Sequence, residues 1–244
     1  MPRFYVTSQD ISGNKITITD KDQVHHIHNV LRLKEKEEVM VFDDKSNEYK
    51  TEIVKSSPQS IILKIKEKKK LTITEKACIT VACAIPKKAK MDEIVDKLTQ
   101  LGVDKIIPLE TKRVIVNLDE KKKQQRLARW QKIALNASRQ SQRNQIPVVS
   151  PIKDIKEVLS NLEDFDLKLI PALFGKRRTL REILEKSKAK NILVLIGPEG
   201  DFTPEEIALA TKAGCIPITL GDLVLRVDTA AIAAAGFIRL YANH

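Results

Sequence analysis

The segment NILVLIGPEGDFTPEEI, residues 191–207, combines residue types that suit a ligand-binding turn. An apolar run typical of a buried strand ends in Gly-Pro-Glu-Gly, and Thr203 to Glu206 then forms a capping box with Pro204 at the first helical position. Strand–turn–helix junctions of this kind commonly hold nucleotide-like ligands in α/β proteins. Capping explains the start of the helix but not the elaborate glycine turn, so we expect the turn to hold a ligand.

This turn matches neither of the two common nucleotide motifs. A phosphate loop requires Gly-Lys followed by Ser or Thr, and the chain contains neither tripeptide. The dinucleotide fingerprint GxGxxG after an early strand is missing as well. Five of the eight glycines lie in the final 48 residues, where they allow close backbone approach, so the ligand is expected in that part of the chain.

A second segment, ITLGDLVLRVDTAAIAAAGFIRLYA (residues 218–242), places charged residues before an apolar helix. A strand ends at Leu220, and an irregular loop then carries Arg226 and Asp228. Two interpretations remain open for each charged residue. Arg226 either contacts a ligand or pairs with Asp228, while Asp228 either takes part in chemistry or caps the helix, a role that Thr229 can also fill.

The elements that must position these residues follow two different patterns. Residues 1–68 contain five alternating, β-branched runs and one helical piece, which predict a small β-barrel. The charged run KEKKK, residues 66–70, is interpreted as a hinge. Residues 71–244 alternate strand-like and helix-like runs and include a long basic helix over about 119–143, which predicts a parallel sheet.

Composition narrows the class of protein. Lys and Arg outnumber Asp and Glu by 43 to 32, a net charge of +11, which indicates either a polyanionic partner such as nucleic acid or simply a basic protein. No apolar run approaches the roughly 18–20 residues of a membrane span, and the N-terminus has no signal-peptide core. The cysteines Cys78, Cys83 and Cys215 lie in strand-like apolar runs, which favours reduced core thiols in a cytoplasmic protein.

Taken together, the motifs resemble the SPOUT superfamily of knotted RNA methyltransferases. The likeness is carried by LIGPEG, by Leu-Gly followed by Leu-Arg at residues 220–226, and by the acid-Thr-Ala that opens the last helix. The segments HHIHNVLRL, KLTQLGVDKIIPL and RWQKIALNASRQSQRNQIPVV extend it nearly end to end. More narrowly, the chain resembles the enzymes that methylate N3 of a uridine in small-subunit (16S) ribosomal RNA.

The resemblance implies an α/β fold with a PUA-like RNA-binding β-barrel over residues 1–68. It also implies a SPOUT methyltransferase domain over residues 71–244, with a parallel sheet and a C-terminal trefoil knot, which is a rare exception to the usual rules of chain connection. The implied cofactor is S-adenosyl-L-methionine. The implied partners are ribosomal RNA or the small ribosomal subunit and a second copy of the chain in a homodimer, with no membrane.

The three loops of the knot are the implied cofactor site. Glycines there allow close approach of the backbone, and leucines at the loop edges can pack on adenine. Glu199 or Asp201 either faces the positive sulfonium or is a solvated turn carboxylate. The implied cofactor-binding residues are Pro171, Ala172, Leu173, Ile196, Gly197, Pro198, Glu199, Gly200, Leu220, Gly221, Leu225, Arg226, Thr229 and Ala230.

Methylation of uridine N3 requires alignment with the donor and stabilisation of negative charge on the base. Arg226 and Asp228 are the catalytic candidates: Arg226 for charge stabilisation or base positioning, and Asp228 as the acceptor of the N3 proton. His25 and His28 have helical spacing but no third ligand, so no metal site is expected. Phosphate contact and a solvated charged face are alternatives for the remaining basic residues. The RNA-binding candidates are Arg3, His25, His26, Arg32, Arg113, Arg126, Arg129, Arg139 and Arg143.

Some positions depart from the family pattern. Asp201, Leu223 and Asp228 stand where Gly, Arg and Glu are usual, which bears on substrate preference and activity rather than on the fold. Two alternatives therefore remain: a SPOUT methyltransferase acting on another RNA position, and a non-catalytic RNA-binding factor for ribosome assembly. The intact GPEG and Leu-Arg pair favours an enzyme, because a protein that had lost donor binding would not need both.

Overall fold

The computed structural model describes residues 1–70, 76–86, 90–113 and 119–242. The chain divides into two compact units, which we describe separately. The first unit is Met1–Thr74 with Ser138–Gln145, and the second is Glu75–Ala137 with Ile146–His244. The predicted boundary at residues 68–71 falls partly on residues outside the described ranges.

The first unit is a six-stranded sheet, as the alternating runs predict, with one small additional strand. Its strand order is β1-β4-β5-β6-β3-β2; β1 pairs with β4 in parallel and every other pair is antiparallel. The sheet forms a half-barrel around one apolar core. Its elements are β1 (Arg3–Val6), a 3₁₀ turn (Ser8–Asp10), β2 (Ile11–Ser12), β3 (Lys15–Ile18), α1 (Lys21–His25) continued by a π-helical turn (His26–Val30), β4 (Glu38–Asp43), β5 (Asn47–Ser56) and β6 (Ile61–Lys70).

The charged run at residues 66–70 is the end of β6, so its interpretation as a hinge is wrong. Backbone pairing with β5 continues to the last residue, where Lys70 lies opposite Asn47. Opposite charges also face each other across the two strands, as in the Glu48–Lys69 pair. Cross-strand attraction of this kind stabilises a ladder, and only the partner strand reveals it.

The second unit is an α/β domain with an entirely parallel sheet, which confirms the predicted class. Its main strand order is β10-β8-β7-β13-β11-β14-β12, and β9 pairs with β8. Its elements are β7 (Cys78–Ala84), α2 (Lys90–Gln100), β8 (Lys105–Glu110), α3 (Glu120–Gln140, whose last three residues belong to the first unit), β9 (Val148–Val149), β10 (Lys153–Asp154), α4 (Ile155–Leu159), β11 (Leu167–Pro171), β12 (Arg178–Thr179), α5 (Leu180–Leu184), β13 (Asn191–Ile196), α6 (Pro204–Lys212), β14 (Ile216–Thr219) and α7 (Val227–Tyr241).

Both faces of this sheet are covered, because successive residues of a strand point to opposite sides. Along β13, Ile192 and Val194 join a core with α2, α3, α5 and α7, while Leu193 and Leu195 join a core with α4 and α6. Burial on both faces explains why the strands read as continuous apolar runs. No helix in the described ranges is long and apolar enough to cross a bilayer.

The cysteine prediction is only partly right. Cys83 and Cys215 are buried, but Cys78 is exposed. Cys78 is the first residue of β7 and lies between the buried residues Ala77 and Ile79, so its side chain points to the opposite side of the strand, which the core does not cover at this end. Apolar neighbours in sequence therefore do not bury a residue at the end of a strand.

Candidate functional site

Three loops of the second unit line an open pocket. They follow β11, β13 and β14, which are adjacent and parallel in the order β13-β11-β14, so their carboxyl ends lie at one edge of the sheet. Ligand sites in open α/β sheets form at such edges. We call these loops the first loop (residues 171–177), the glycine turn (residues 197–201) and the third loop (residues 220–226).

Most residues implied for the cofactor line this pocket. Those that do are Pro171, Ala172, Leu173, Ile196, Gly197, Pro198, Glu199, Leu220, Gly221, Leu225 and Ala230. Gly200, Arg226 and Thr229 are not among the lining residues. The lining also includes residues left out of the predicted cofactor set, which are Arg177, Asp201, Thr219, Leu223, Val224 and Val227. Thr219, Val224 and Val227 adjoin predicted residues, whereas nothing in the sequence pointed to Arg177.

The glycine turn is packed too tightly for a side chain at Gly197. A Cβ there would lie 3.1 Å from both the Cδ2 and the backbone N of Phe202, and 3.2 Å from Oδ1 of Asp201. Phe202 is itself buried in the core. The helix that follows begins as predicted: Thr203 caps α6 in a capping box. Close contact therefore favours glycine at residue 197, which explains part of the elaborate turn.

Asp201 adopts a backbone conformation that usually favours glycine, with φ at 61°. Its Oδ2 accepts a hydrogen bond from the backbone N of Leu173 at 2.9 Å, and its Oδ1 accepts one from Phe202 N at 2.8 Å. On the other side of the turn, the Arg113 guanidinium donates to the carbonyl oxygens of Gly200 and Asp201. Arg113, predicted to contact RNA, thus lies against the glycine turn.

Arg226 and Asp228 do not pair with each other. Arg226 is the N-cap residue of α7, is exposed, and has no ion-pair partner among the described residues. Asp228 lies in the first turn of the helix, so the prediction that Asp228 or Thr229 is the N-cap is wrong. Its Oδ2 is 3.4 Å from Nζ of Lys90, and its buried Oδ1 has no hydrogen-bond partner within the described part of the chain.

Asp228 is held as a carboxylate. Desolvation by burial is the largest influence and raises its pKa, but hydrogen bonds from the backbone of Thr229 and from Lys90 together outweigh it, so the pKa lies below its ordinary value. Burial, together with the charges of Asp228 and Glu199, raises the pKa of the nearby Cys83 thiol. Cys83 is therefore a neutral thiol, unsuited to act as a nucleophile.

The RNA-binding candidates of the first unit differ in exposure. His25, His26 and Arg32 are exposed. Arg3 instead forms an ion pair with Glu48 at 2.6 Å and lies over the Phe42 ring at 5.0 Å. The Arg3 side chain, which is 10% exposed, is already engaged within the unit.

The candidates of helix α3 and the segment after it are only partly available. Arg129 pairs with Asp92 at 2.5 Å, and the same carboxylate accepts a hydrogen bond from Trp130 Nε1 at 3.1 Å. Arg126 and Arg143 are half-buried. Arg139 is half-buried too, and desolvation lowers its pKa despite the nearby carboxylates of Asp20 and Asp22. No group of three or more potential metal ligands occurs among the described residues.

Comparison with known proteins agrees with this arrangement. Ribosomal RNA small subunit methyltransferase E of Bacillus subtilis is 29% identical over 245 residues, covering 96% of this chain and 94% of that protein. Its Rickettsia conorii counterpart is 30% identical over 246 residues, covering 99% and 96%. The crystal structure of ribosomal RNA small subunit methyltransferase E from Neisseria gonorrhoeae bound to S-adenosyl methionine is 31% identical, with a TM-score of 0.88 and coverage of 98% and 97%.

Two family profiles also match the chain. The RNA methyltransferase PUA domain matches residues 18–66, within the half-barrel. The RNA methyltransferase domain matches residues 74–239, which include all three loops of the pocket. Since this second match spans more than half of the sequence, the chain belongs to the RNA methyltransferase domain family and carries the PUA domain of RNA methyltransferases in its N-terminal half.

Proposed function

We propose that this protein transfers a methyl group from S-adenosylmethionine to N3 of a uridine in small-subunit ribosomal RNA. The observation that carries the proposal is the convergence of the three loops in one pocket within the matched methyltransferase domain. The names of the relatives support the choice of substrate, and the cofactor bound by the Neisseria gonorrhoeae protein supports the choice of donor. The uridine N3 position and the trefoil knot come from the sequence resemblance.

The pocket suits the proposed donor chemically. Leu173, Leu220 and Leu225 supply apolar surface for an adenine ring. The bare backbone at Gly197 lets main-chain donors and acceptors approach a ligand, and Glu199 places a carboxylate on the lining that can face a cation. When bound, the donor supplies an electrophilic methyl group on a sulfonium.

Arg226 is the proposed group for stabilising the reacting base. Uridine N3 carries a weakly acidic proton, and the negative charge that develops spreads to O2 and O4. Arg226 directly follows Leu225, which lines the pocket. Its side chain is exposed and has no ion-pair partner in the described ranges, so the guanidinium is available to an incoming base. A preorganised cation beside developing negative charge is an effective catalytic element.

Asp228 has a different proposed role. Its pKa is lowered, and a general base works best when its pKa is near the operating pH. As a weak base beside Lys90, Asp228 is better suited to supply fixed negative charge at the start of α7 than to accept the N3 proton. We therefore assign charge stabilisation to Arg226 and leave proton acceptance to solvent.

The exposed basic residues of each unit are the proposed RNA contacts. In the first unit these are His25, His26 and Arg32, whereas Arg3 is engaged with Glu48. In the second unit, the exposed Lys121 lies in the first turn of helix α3, beside Lys122, whose ion pair with Asp119 is itself exposed. A net charge of +11 favours phosphate contact along such surfaces.

We also propose a homodimer in the cytoplasm. Helix α7 exposes Leu240 and Phe237, and the third loop exposes Leu223 and Val224, with Leu223 80% and Leu240 71% exposed. Exposed apolar groups of this size favour burial against a partner, and the resemblance identifies the partner as a second copy. Light scattering after size exclusion tests this: Leu240→Glu should shift the protein towards a monomer, and a wild-type monomer would contradict the proposal.

The first experiment measures methyl transfer from labelled S-adenosylmethionine to unmodified small ribosomal subunits, with mass spectrometry of the nucleosides. N3-methyluridine would support the whole proposal. A different methylated nucleoside would retain the enzyme class and refute the position. Absence of both transfer and donor binding would refute the enzyme and favour an RNA-binding assembly factor.

A further inference from the structure

The carboxylate of Asp201 connects two of the three loops around the pocket. Oδ2 accepts the N–H of Leu173 in the first loop at 2.9 Å. Oδ1 accepts the N–H of Phe202 at 2.8 Å, and the backbone N of Asp201 donates to the carbonyl of Pro198 at 2.9 Å. One side chain therefore holds the first loop at a set distance from the glycine turn.

The backbone of Asp201 shows that this arrangement has a cost. A φ of 61° lies in the left-handed region, where glycine is the most favourable residue and Asp is among the few others that are tolerated. Glycine would build the turn with less strain but would leave the N–H of Leu173 without this acceptor. Aspartate is therefore not needed to form the turn. It contributes the carboxylate that accepts the N–H of Leu173.

The connection lies at the pocket itself. Leu173 and Asp201 both line it, so a change in their separation changes the shape of the cavity. Leu173 is also one of the three leucines that we propose to contact the adenine ring. An acceptor that fixes the Leu173 backbone before binding reduces the ordering that the ligand must impose.

We propose that Asp201 is a positioning residue that holds the first loop against the glycine turn in the geometry that binds the methyl donor. This inference rests on the proposed function, because it names S-adenosylmethionine as the ligand that benefits. Asp201 acts through Leu173 and Phe202, since both of its carboxylate oxygens are engaged by their N–H groups.

The test compares wild type with Asp201→Gly, which removes both acceptors and also relieves the left-handed strain. Calorimetry should show that the Kd for S-adenosylmethionine rises about tenfold or more, a change of the size expected when hydrogen bonds to a charged group are lost. The KM for the donor should rise in parallel while kcat at saturating donor changes little. The melting temperature without donor should change little, because relief of the left-handed strain offsets the loss of the two hydrogen bonds.

Hydrogen exchange provides a readout that does not depend on any ligand. The amide of Leu173 should exchange faster in Asp201→Gly than in wild type. Asp201→Asn, which keeps a single acceptor oxygen, should give an intermediate Kd. The matched control is Ser46→Gly, at a left-handed residue with φ 59° in the first unit, and it should change neither quantity.

The outcomes separate this inference from the proposed function. If wild type does not bind S-adenosylmethionine, the proposed donor is wrong, and the exchange of Leu173 still reports whether Asp201 holds the loop. If wild type binds the donor and Asp201→Gly binds it equally well with unchanged exchange at Leu173, the inference is overturned. If Asp201→Asn bound the donor with the wild-type Kd, the inference that both carboxylate oxygens are needed as acceptors would be overturned.

Discussion

The same added methyl group should have opposite effects at two glycines. In Gly236→Ala, the new Cβ lies 3.8 Å from Cδ1 and Cδ2 of Leu101, an ordinary contact. Gly236 is inside the 15-residue helix α7, where glycine is less favourable than alanine by about 0.5–1 kcal/mol. We therefore expect Gly236→Ala to raise the free energy of unfolding by about that amount.

In Gly197→Ala, the new Cβ would be 3.1 Å from the ring and the backbone N of Phe202. Neither group can move easily, because the ring is 2% exposed and the backbone begins the capped entry to α6. Overpacking of this kind costs about 1–3 kcal/mol. Because Gly197 itself lines the pocket, we also expect the Kd for S-adenosylmethionine to rise about tenfold, equivalent to about 1.4 kcal/mol.

Urea unfolding of both variants and of wild type measures the two free energies, and calorimetry measures donor binding. Gly236→Ala serves as the matched control, since it adds the same methyl group away from the pocket. The reasoning would be refuted if Gly197→Ala left both the unfolding free energy and the donor Kd unchanged. Destabilisation by Gly236→Ala would show that its surroundings are tighter than the 3.8 Å contacts indicate.

Arg226→Ala should reduce methyl transfer at saturating donor by about 10²-fold or more with little change in donor Kd, and equal loss of both in parallel assays would remove its catalytic role. The Arg239 side chain is 13% exposed, pairs with Asp104 and donates hydrogen bonds to two backbone carbonyls. Because Arg239→Met removes all of these contacts, urea unfolding should show that the free energy of unfolding falls by about 3 kcal/mol. Arg181→Met, which removes an exposed ion pair with Glu185, should leave the unfolding free energy nearly unchanged, and similar losses for the two variants would contradict this expectation. Burial and a hydrogen bond to the carboxylate of Asp43 raise the pKa of Tyr49 to about 12. The protonated phenol therefore stabilises the fold fully below about pH 10, the ordinary pKa of tyrosine. This contribution, roughly 2–3 kcal/mol, is lost as the pH rises from about 10 to 12. Tyr49→Phe should abolish that part of the alkaline decline in stability, and an unchanged decline would refute the assignment.

Three features of the chain have surroundings that its sequence does not reveal. The run at residues 66–70 reads as a hinge until β5 supplies opposite charges across the ladder. Asp228 reads as a helix cap until the loop geometry assigns the N-cap to Arg226. The fold places Arg113 against the carbonyl of Gly200, 87 residues further along the chain, and its contact with RNA stays a prediction. For β6 and Arg113 the neighbouring group is distant in sequence, whereas the start of α7 is decided by the extended backbone of Arg226, two residues before Asp228.

Local elements and the family could be predicted from the order of residues. Periodicity, capping at Thr203 and the positions of the glycines depend on a few neighbouring residues, and the three loops could be identified because their motifs are contiguous. Contacts between distant segments could not be predicted. The order β13-β11-β14 brings the three loops to one edge, and the hydrogen bond from Leu173 N to Asp201 Oδ2 joins positions 28 residues apart. The physical reason is that a hydrogen bond or ion pair depends on a separation of about 3 Å in space, which the spacing of residues along the chain does not specify.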